Sequence, residues 1–95
     1  MKITVEFLSL PNVVKIVGGK ALDVELRGRT VSDLVNELVG RFGPKLGAFL
    51  LDESGALDMV FRVVLNQGEW LPREQLDRTL QDGDRVALTM LVGGG

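Results

Sequence analysis

The residues of this sequence that offer the clearest chemistry are its last three, Gly93, Gly94 and Gly95, which follow an apolar stretch and end in a free carboxylate. Glycine has no Cβ, so a tail of this kind can enter a channel too narrow for any side chain. We therefore predict that the Gly95 carboxylate is the reactive group and that Gly93 and Gly94 allow another protein to approach it. The alternative is that the glycines are only a frayed chain end.

Side chains that could make the protein a catalyst in its own right are scarce. The sequence has no cysteine, histidine or tyrosine. Ser9, Ser32 and Ser54 therefore lack a histidine that could activate them as nucleophiles. Without cysteine there is also no thiol nucleophile, disulfide or Cys-based metal site. We predict that the protein is not an enzyme and that it binds no metal.

Composition and charge narrow the possible partners. Eleven basic and thirteen acidic residues give a net charge of −2, without a sustained run of either sign. This balance argues against nucleic acid as a partner. The alternating N-terminus does not resemble a signal peptide, and no stretch approaches the roughly 20 apolar residues that cross a bilayer. We therefore expect a soluble cytoplasmic protein that does not bind membranes.

Alternation of apolar and polar residues predicts the strands of a sheet. The alternating apolar residues of the first three strands are Ile3, Val5 and Phe7, then Leu22, Val24 and Leu26, then Met59, Phe61, Val63 and Leu65. A tight turn at residues 66–68 leads into a short strand at residues 69–71, which Pro72 ends. A last strand covers residues 86–92 and is apolar on both faces, which is typical of an interior strand. An interior position would anchor the root of the glycine tail.

After Thr30 the apolar residues no longer recur at every second position but at every third or fourth, which predicts one main helix. Its apolar stripe consists of Val31, Leu34, Val35, Leu38, Val39 and Phe42. These residues recur at the spacing of one helical face, which we expect to pack on the sheet. Thr30 is a suitable N-cap, and Asp33 places negative charge in the first turn. Gly43 and Pro44 end the helix.

Two segments have weaker patterns. Residues 10–17 are more apolar than a solvated loop requires, and they either extend the first hairpin, fold back onto the core or present an apolar surface to a partner. The side chains concerned are Val13, Val14, Ile16 and Val17. We favour an extended strand or folding back onto the core. Residues 45–58 are interpreted as an irregular connection with room for a short helix.

The predicted order of elements indicates an α+β fold, with a mixed sheet of four to five strands and one main helix across one face. Few topologies satisfy this order, and one of them is the ubiquitin-like β-grasp. In this arrangement residues 1–92 form the domain and residues 93–95 form a flexible tail.

Four motifs in this order resemble the ubiquitin-like sulfur carriers, a family that includes the small subunit of molybdopterin synthase and the thiamine-biosynthesis sulfur carrier. The motifs are Thr30-Val31-Ser32-Asp33-Leu34, Val64-Leu65-Asn66-Gln67-Gly68, Leu80-Gln81-Asp82-Gly83-Asp84-Arg85-Val86 and the terminal Gly94-Gly95. Each motif is weak alone, but together they span almost the whole chain.

The resemblance implies that an ATP-dependent adenylyltransferase of the ubiquitin-activating type adenylates the Gly95 carboxylate. A sulfur donor would then convert the acyl-adenylate to a thiocarboxylate, which delivers sulfur for cofactor biosynthesis. A molybdopterin pathway, with a molybdopterin synthase large subunit as partner, is favoured over a thiamine pathway. The carrier itself would hold no cofactor. We expect its partner surface to be the exposed sheet face near the tail, including Leu91 and Arg85.

The sequence departs from the family pattern in three places. It ends in three glycines where two are usual, residues 9–19 do not show the helical, glycine-containing loop of molybdopterin-synthase small subunits, and residues 89–92 lack the aromatic residue or proline often found there. Two other functions therefore stay open. One is a ubiquitin-related modifier joined to target lysines through the same carboxylate, and the other is a β-grasp interaction module with incidental glycines.

Overall fold

A computed structural model describes residues 1–90 and contains a five-stranded sheet with three α-helices. The elements are β1 (Lys2–Leu8), α1 (Pro11–Val17), β2 (Ala21–Glu25), α2 (Val31–Phe42), α3 (Pro44–Leu50), β3 (Phe61–Leu65), β4 (Glu69–Leu71), a 3₁₀ turn (Arg73–Gln75) and β5 (Arg85–Met90). The strand order is β2-β1-β5-β3-β4. Only β1 and β5 run parallel; the other neighbours are antiparallel. The predicted mixed sheet is confirmed, with β5 at its centre.

The core lies on one face of the sheet because the alternating apolar residues of neighbouring strands are in register. On β5, Val86 lies opposite Val5 of β1, and Leu88 lies between Phe7 of β1 and Val63 of β3. All of these side chains are buried. The apolar stripe of α2 contributes four more buried side chains to the same cluster: Val31, Leu34, Val35 and Leu38. The main helix therefore packs on the sheet as predicted.

A reciprocal pair of hydrogen bonds starts α2 at the predicted cap. The Thr30 hydroxyl accepts a hydrogen bond from the Asp33 N–H at 3.1 Å, and the Asp33 carboxylate accepts from the Thr30 N–H at 3.1 Å. The same carboxylate also accepts from the Arg29 N–H at 2.9 Å. These bonds satisfy amide groups that the first helical turn leaves without partners. They stabilise the charged carboxylate and lower the pKa of Asp33, with the Arg29 N–H as the largest cause.

The cap makes the stability of the domain depend on pH through Asp33. A carboxyl group whose pKa is lower in the folded state than in the unfolded state stabilises the fold at pH values above its unfolded-state pKa. This contribution is lost as the pH falls through the folded-state pKa. We expect Asp33→Asn to destabilise the protein at pH 7 and to cost progressively less below about pH 4. Urea denaturation of both proteins at pH 7 and pH 3 measures this difference. The exposed Asp77→Asn is the control, and an equal loss for Asp33→Asn at both pH values would contradict the prediction.

The segment that precedes β2 is a helix, so the predicted strand extension was wrong. Helix α1 begins at Pro11, whose ring suits the first turn, and ends at Gly18, which has a left-handed φ of 90° and donates its N–H to the Val14 carbonyl. Val13 is fully buried, and Val14, Ile16 and Val17 pack partly against the core. The alternative that these side chains fold back onto the core is confirmed. The supposed departure at residues 9–19 is corrected too, because this connection is helical and ends in glycines.

The connection between α2 and β3 has one predicted and one unexpected feature. The short helix is present as α3, and its Gly47 brings the backbone close to Val39 of α2. Strand β3, however, starts at Phe61 and not at Met59. A turn at Asp58 is the reason, since its carboxylate accepts from the Val60 N–H at 3.0 Å and its carbonyl from the Phe61 N–H. The Met59 side chain is consequently 75% exposed and not part of the core.

Candidate functional site at the tail end of the sheet

The predicted reactive group lies outside the described residues, together with Gly93, Gly94 and the predicted partner contact Leu91. The structure does describe the root from which this tail extends. Met90, the last residue of β5, lies opposite Phe61 of β3, and Thr89 lies opposite Leu8 of β1 and Arg62 of β3. The root is therefore held by backbone pairing on both sides, in the middle of the sheet.

Exposed apolar side chains are concentrated around this root. Five large apolar side chains are exposed within residues 1–90, and four of them lie at this end of the sheet. Their exposed fractions are 47% for Leu8, 75% for Met59, 43% for Val60 and 36% for Met90. We call these four residues the tail-end rim. Single exposed apolar residues are ordinary, but a group of them at one end of a sheet is typical of a protein-binding surface.

The helix-free face of the sheet continues from the rim towards β4. Val64 of β3 lies between Ala87 of β5 and Trp70 of β4 on this face. Ala87 is buried, Val64 is half-buried and Trp70 is 56% exposed. The helix-free face therefore carries an apolar row from Ala87 to Trp70.

Arg85 occupies the opposite end of β5 from the root. Five residue steps separate it from Met90, which corresponds to roughly 17 Å along the strand. Its Nε lies 3.5 Å from Glu6 Oε1, and its backbone N–H donates to Asn66 Oδ1 at 2.8 Å. The Asn66 amide also donates to the Asp84 carboxylate at 3.0 Å. Arg85 is thus on the helix-free face, but the fold does not bring it next to the tail root.

Two of the sequence motifs have a structural role at this far end of the sheet. Asn66 and Gln67 adopt left-handed backbone angles, with φ of 51° and 65°, in the tight turn between β3 and β4. Asp84 accepts from the Asn66 amide and from the Gln81 N–H, so it joins this turn to the start of β5. These motif residues therefore hold the start of β5 in position beside the turn that follows β3.

The rim and Trp70 were not found from the sequence. Met59 and Val60 belong to an apparently continuous alternating pattern, and only the turn at Asp58 takes Met59 out of it. Trp70 is one of three residues in a very short edge strand, which is too short for a clear alternation. The sequence feature that could have indicated this turn is Asp58, because an aspartate side chain often accepts a hydrogen bond from the backbone N–H two residues later.

Within residues 1–90, no group of three or more His, Cys, Asp or Glu side chains is arranged to hold a metal ion. The same residues contain no helix that is both long and apolar enough to cross a membrane. They also contain no buried charged or polar residue.

Comparison with solved structures agrees with the topology. SAMP1 from Haloferax volcanii superposes with a TM-score of 0.78 at 26% identity, over 100% of both chains. A chain of the BexX/CysO complex from Amycolatopsis orientalis gives 0.69 at 28% identity, over 98% of this chain and 99% of the other. A putative molybdopterin converting factor, subunit 1, from Pyrococcus furiosus gives 0.69 at 23% identity, over 97% and 99%, and supports the fold alone.

The fold and these neighbours define a ubiquitin-like β-grasp protein of the class that contains small sulfur carriers and protein modifiers. A sequence profile described as the ThiS family matches residues 11–95, and the chain belongs to this family. Members of the family are small carrier proteins and not catalysts themselves, so the prediction that the chain is not an enzyme is confirmed. No curated protein matches the sequence.

Proposed function

We propose that this protein is a sulfur carrier that uses its C-terminal carboxylate as the attachment point for sulfur. The observation that carries the proposal is the position of β5, a central strand whose exposed end leads directly into Leu91, Val92 and the three glycines. Membership of the ThiS family supports the same function. We further propose that the carrier acts in the cytoplasm and serves a molybdopterin-type pathway, with a synthase large subunit as the sulfur-receiving partner.

The proposed chemistry requires activation because a carboxylate is a poor acyl donor. A Gly95 carboxylate oxygen attacks the α-phosphorus of ATP on an adenylyltransferase of the ubiquitin-activating type, and pyrophosphate leaves. A hydrosulfide equivalent from the sulfur donor then attacks the acyl carbon. AMP leaves, and the product is the Gly95 thiocarboxylate. The carrier provides no acid, base or cofactor; its glycines give the partner's active site access to the carboxylate.

We propose that the tail-end rim and the adjoining helix-free face contact the activating enzyme while the tail enters its active site. Leu91 follows Met90 directly and would extend the apolar surface. An interface that also included Arg85 would have to cover the full length of β5.

The second candidate is a protein modifier whose Gly95 carboxylate is joined to lysine amines of other proteins. Its specific support is the likeness to SAMP1, a small archaeal modifier protein, at 26% identity over the whole chain. Both functions begin with adenylation, so they differ only in the group that finally attacks the acyl carbon. Covalent protein adducts in cells would distinguish the modifier from the carrier.

The experiment that tests the carrier function is an intact-mass measurement. The protein is incubated with ATP, a ThiS-type activating enzyme from the same organism and a sulfide donor. A mass gain equal to the exchange of one oxygen for sulfur, located at Gly95 by fragmentation, is expected. An unchanged mass, under conditions in which a known carrier reacts with its own enzyme, would contradict the proposal.

A further inference from the structure

The side chains of three methionines, Met1, Met59 and Met90, carry all the sulfur of this chain, because the sequence has no cysteine. Peroxides oxidise the methionine thioether to a sulfoxide, and reductases of methionine sulfoxide reverse this step. A thiolate would normally compete for the oxidant, but this protein has none. The thioethers are therefore the sulfur atoms at which a peroxide can react with the unloaded carrier.

The three thioethers differ in their access to solvent. The Met59 side chain is 75% exposed and the Met90 side chain is 36% exposed. Met1 is half-buried and packs against the core. Because the susceptibility of a methionine to oxidation increases with its exposure, Met59 is the residue that a peroxide in solution reaches most readily.

The turn at Asp58 holds Met59 in this exposed position. The Asp58 N–H donates to the Leu50 carbonyl at 2.8 Å, which ties the turn to the end of α3. The Asp58 carboxylate accepts from the Val60 N–H at 3.0 Å, and its carbonyl accepts from the Phe61 N–H at 3.1 Å. The backbone is thus fixed by hydrogen bonds on both sides of Met59. The side chain could move into the core only if these bonds broke.

Met59 belongs to the tail-end rim, so its oxidation changes the surface beside the tail root. A sulfoxide converts a flexible apolar side chain into a polar one. Its oxygen loses hydrogen-bonded water when a partner covers the rim, and burial of a polar group without a new hydrogen bond is unfavourable. Oxidation of Met59 therefore opposes docking without altering the Gly95 carboxylate.

We propose that Met59 is a reversible oxidation site through which hydrogen peroxide prevents the carrier from docking to its activating enzyme. The Met59 sulfur attacks one peroxide oxygen, the O–O bond breaks and an S–O bond forms. Sulfur loses two electrons, and the second oxygen leaves as water with both protons of the peroxide. A reductase that oxidises a pair of thiols to a disulfide restores the thioether and releases water. The inference rests on the proposed carrier function, because docking serves adenylation.

The first measurement locates the site of oxidation. The purified, unloaded protein is treated with less than one equivalent of hydrogen peroxide, and its intact mass and peptide map are recorded. We expect the gain of one oxygen, about twice as often at Met59 as at Met90, in proportion to their exposed fractions of 75% and 36%. Oxidation of Met90 or Met1 to the same or a greater extent would overturn the proposal.

The second measurement determines the effect on docking by ATP–pyrophosphate exchange with the activating enzyme, after the peroxide has been removed. We expect the KM for the singly oxidised wild-type carrier to rise about 10-fold with little change in kcat, because binding is affected and the reacting group is not. Treatment with a methionine sulfoxide reductase and a dithiol should restore the original KM. The matched control is Met59→Leu, which keeps an apolar side chain and lacks the sulfur. Its own KM should be nearly the same before and after the same peroxide treatment.

The possible results separate this inference from the proposed function. An unchanged KM of the oxidised wild-type protein, or an equal rise in Met59→Leu, would overturn the switch alone. No exchange with the unoxidised wild-type protein would overturn the proposed function and the switch with it. Met59→Gln introduces a polar side chain without peroxide and should raise the KM in the same way. Circular dichroism before and after oxidation should be identical, and a loss of structure would show that oxidation acts by unfolding and not at the rim.

Discussion

Replacing Gly94 with leucine is expected to abolish adenylation of the C-terminal carboxylate while leaving the fold unchanged. The added side chain prevents the tail from entering a channel that admits only backbone atoms. Since a displacement of about 1 Å at a reacting centre costs roughly 100-fold in rate, we expect at least this loss. ATP–pyrophosphate exchange by the activating enzyme measures the effect. Thermal unfolding should be the same as for the wild-type protein, because Gly94 belongs to the predicted tail of residues 93–95 and not to the predicted domain of residues 1–92.

Two controls separate tail access from docking. Gly94→Ala adds a single carbon and should reduce the exchange rate much less than leucine. Met90→Lys changes the tail-end rim and should raise the KM for the carrier with little change in kcat, because it affects binding and not the reacting group. Exchange at the wild-type rate with Gly94→Leu would argue against a reactive tail.

Phe7→Ala is expected to have the largest effect on stability. Phe7 is 2% exposed in β1, between β2 and β5, and lies opposite Leu88 in the centre of the sheet. Truncation of a buried phenylalanine removes apolar contacts and leaves a cavity, which costs about 3–5 kcal/mol. A domain of this size has a free energy of unfolding of only about 5–15 kcal/mol. The variant should therefore lose a large fraction of its free energy of unfolding.

Leu8→Ala is the matched control for Phe7→Ala, because it is the next residue of the same strand and its side chain is 47% exposed on the other face. We expect it to change stability by less than about 1 kcal/mol. Urea denaturation followed by circular dichroism measures both variants. Similar losses for the two would show that the face of β1 assigned to the core is wrong.

The elements with a clear period could be predicted from the sequence. One buried face gives a strand or helix a regular apolar repeat, as in β1, β2 and α2, and the cap at Thr30 requires only local groups. The central position of β5 was also predictable. Ala87, on the helix-free face opposite Val86 and Leu88, is only 5% exposed, because it lies between two neighbouring strands. The class of protein followed from the same residues and from the terminal glycines.

The errors arose where tertiary structure overrides local preference. Residues 11–17 are rich in valine and isoleucine, which favour strands, yet the spacing of Val13, Val14, Ile16 and Val17 also fits one face of a helix, and packing on the core selects it. The tail-end rim combines residues from distant parts of the chain, such as Leu8 and Met90. The sequence around each of these residues does not indicate that its side chain is exposed. Only the folded sheet shows that they are neighbours.

The position of β5 also determines how the domain responds to a pull on the chain beyond Met90. Five residue pairs join β5 to β1 and five join it to β3, and the two ladders that these pairs form extend along the length of β5. A force along β5 therefore loads the hydrogen bonds of both ladders at the same time, in shear. The bonds cannot break one after another, as they could if an edge strand were pulled away sideways. An enzyme that pulled the tail into a narrow channel would therefore have to break the pairing of β5 with both β1 and β3 before Met90 could follow.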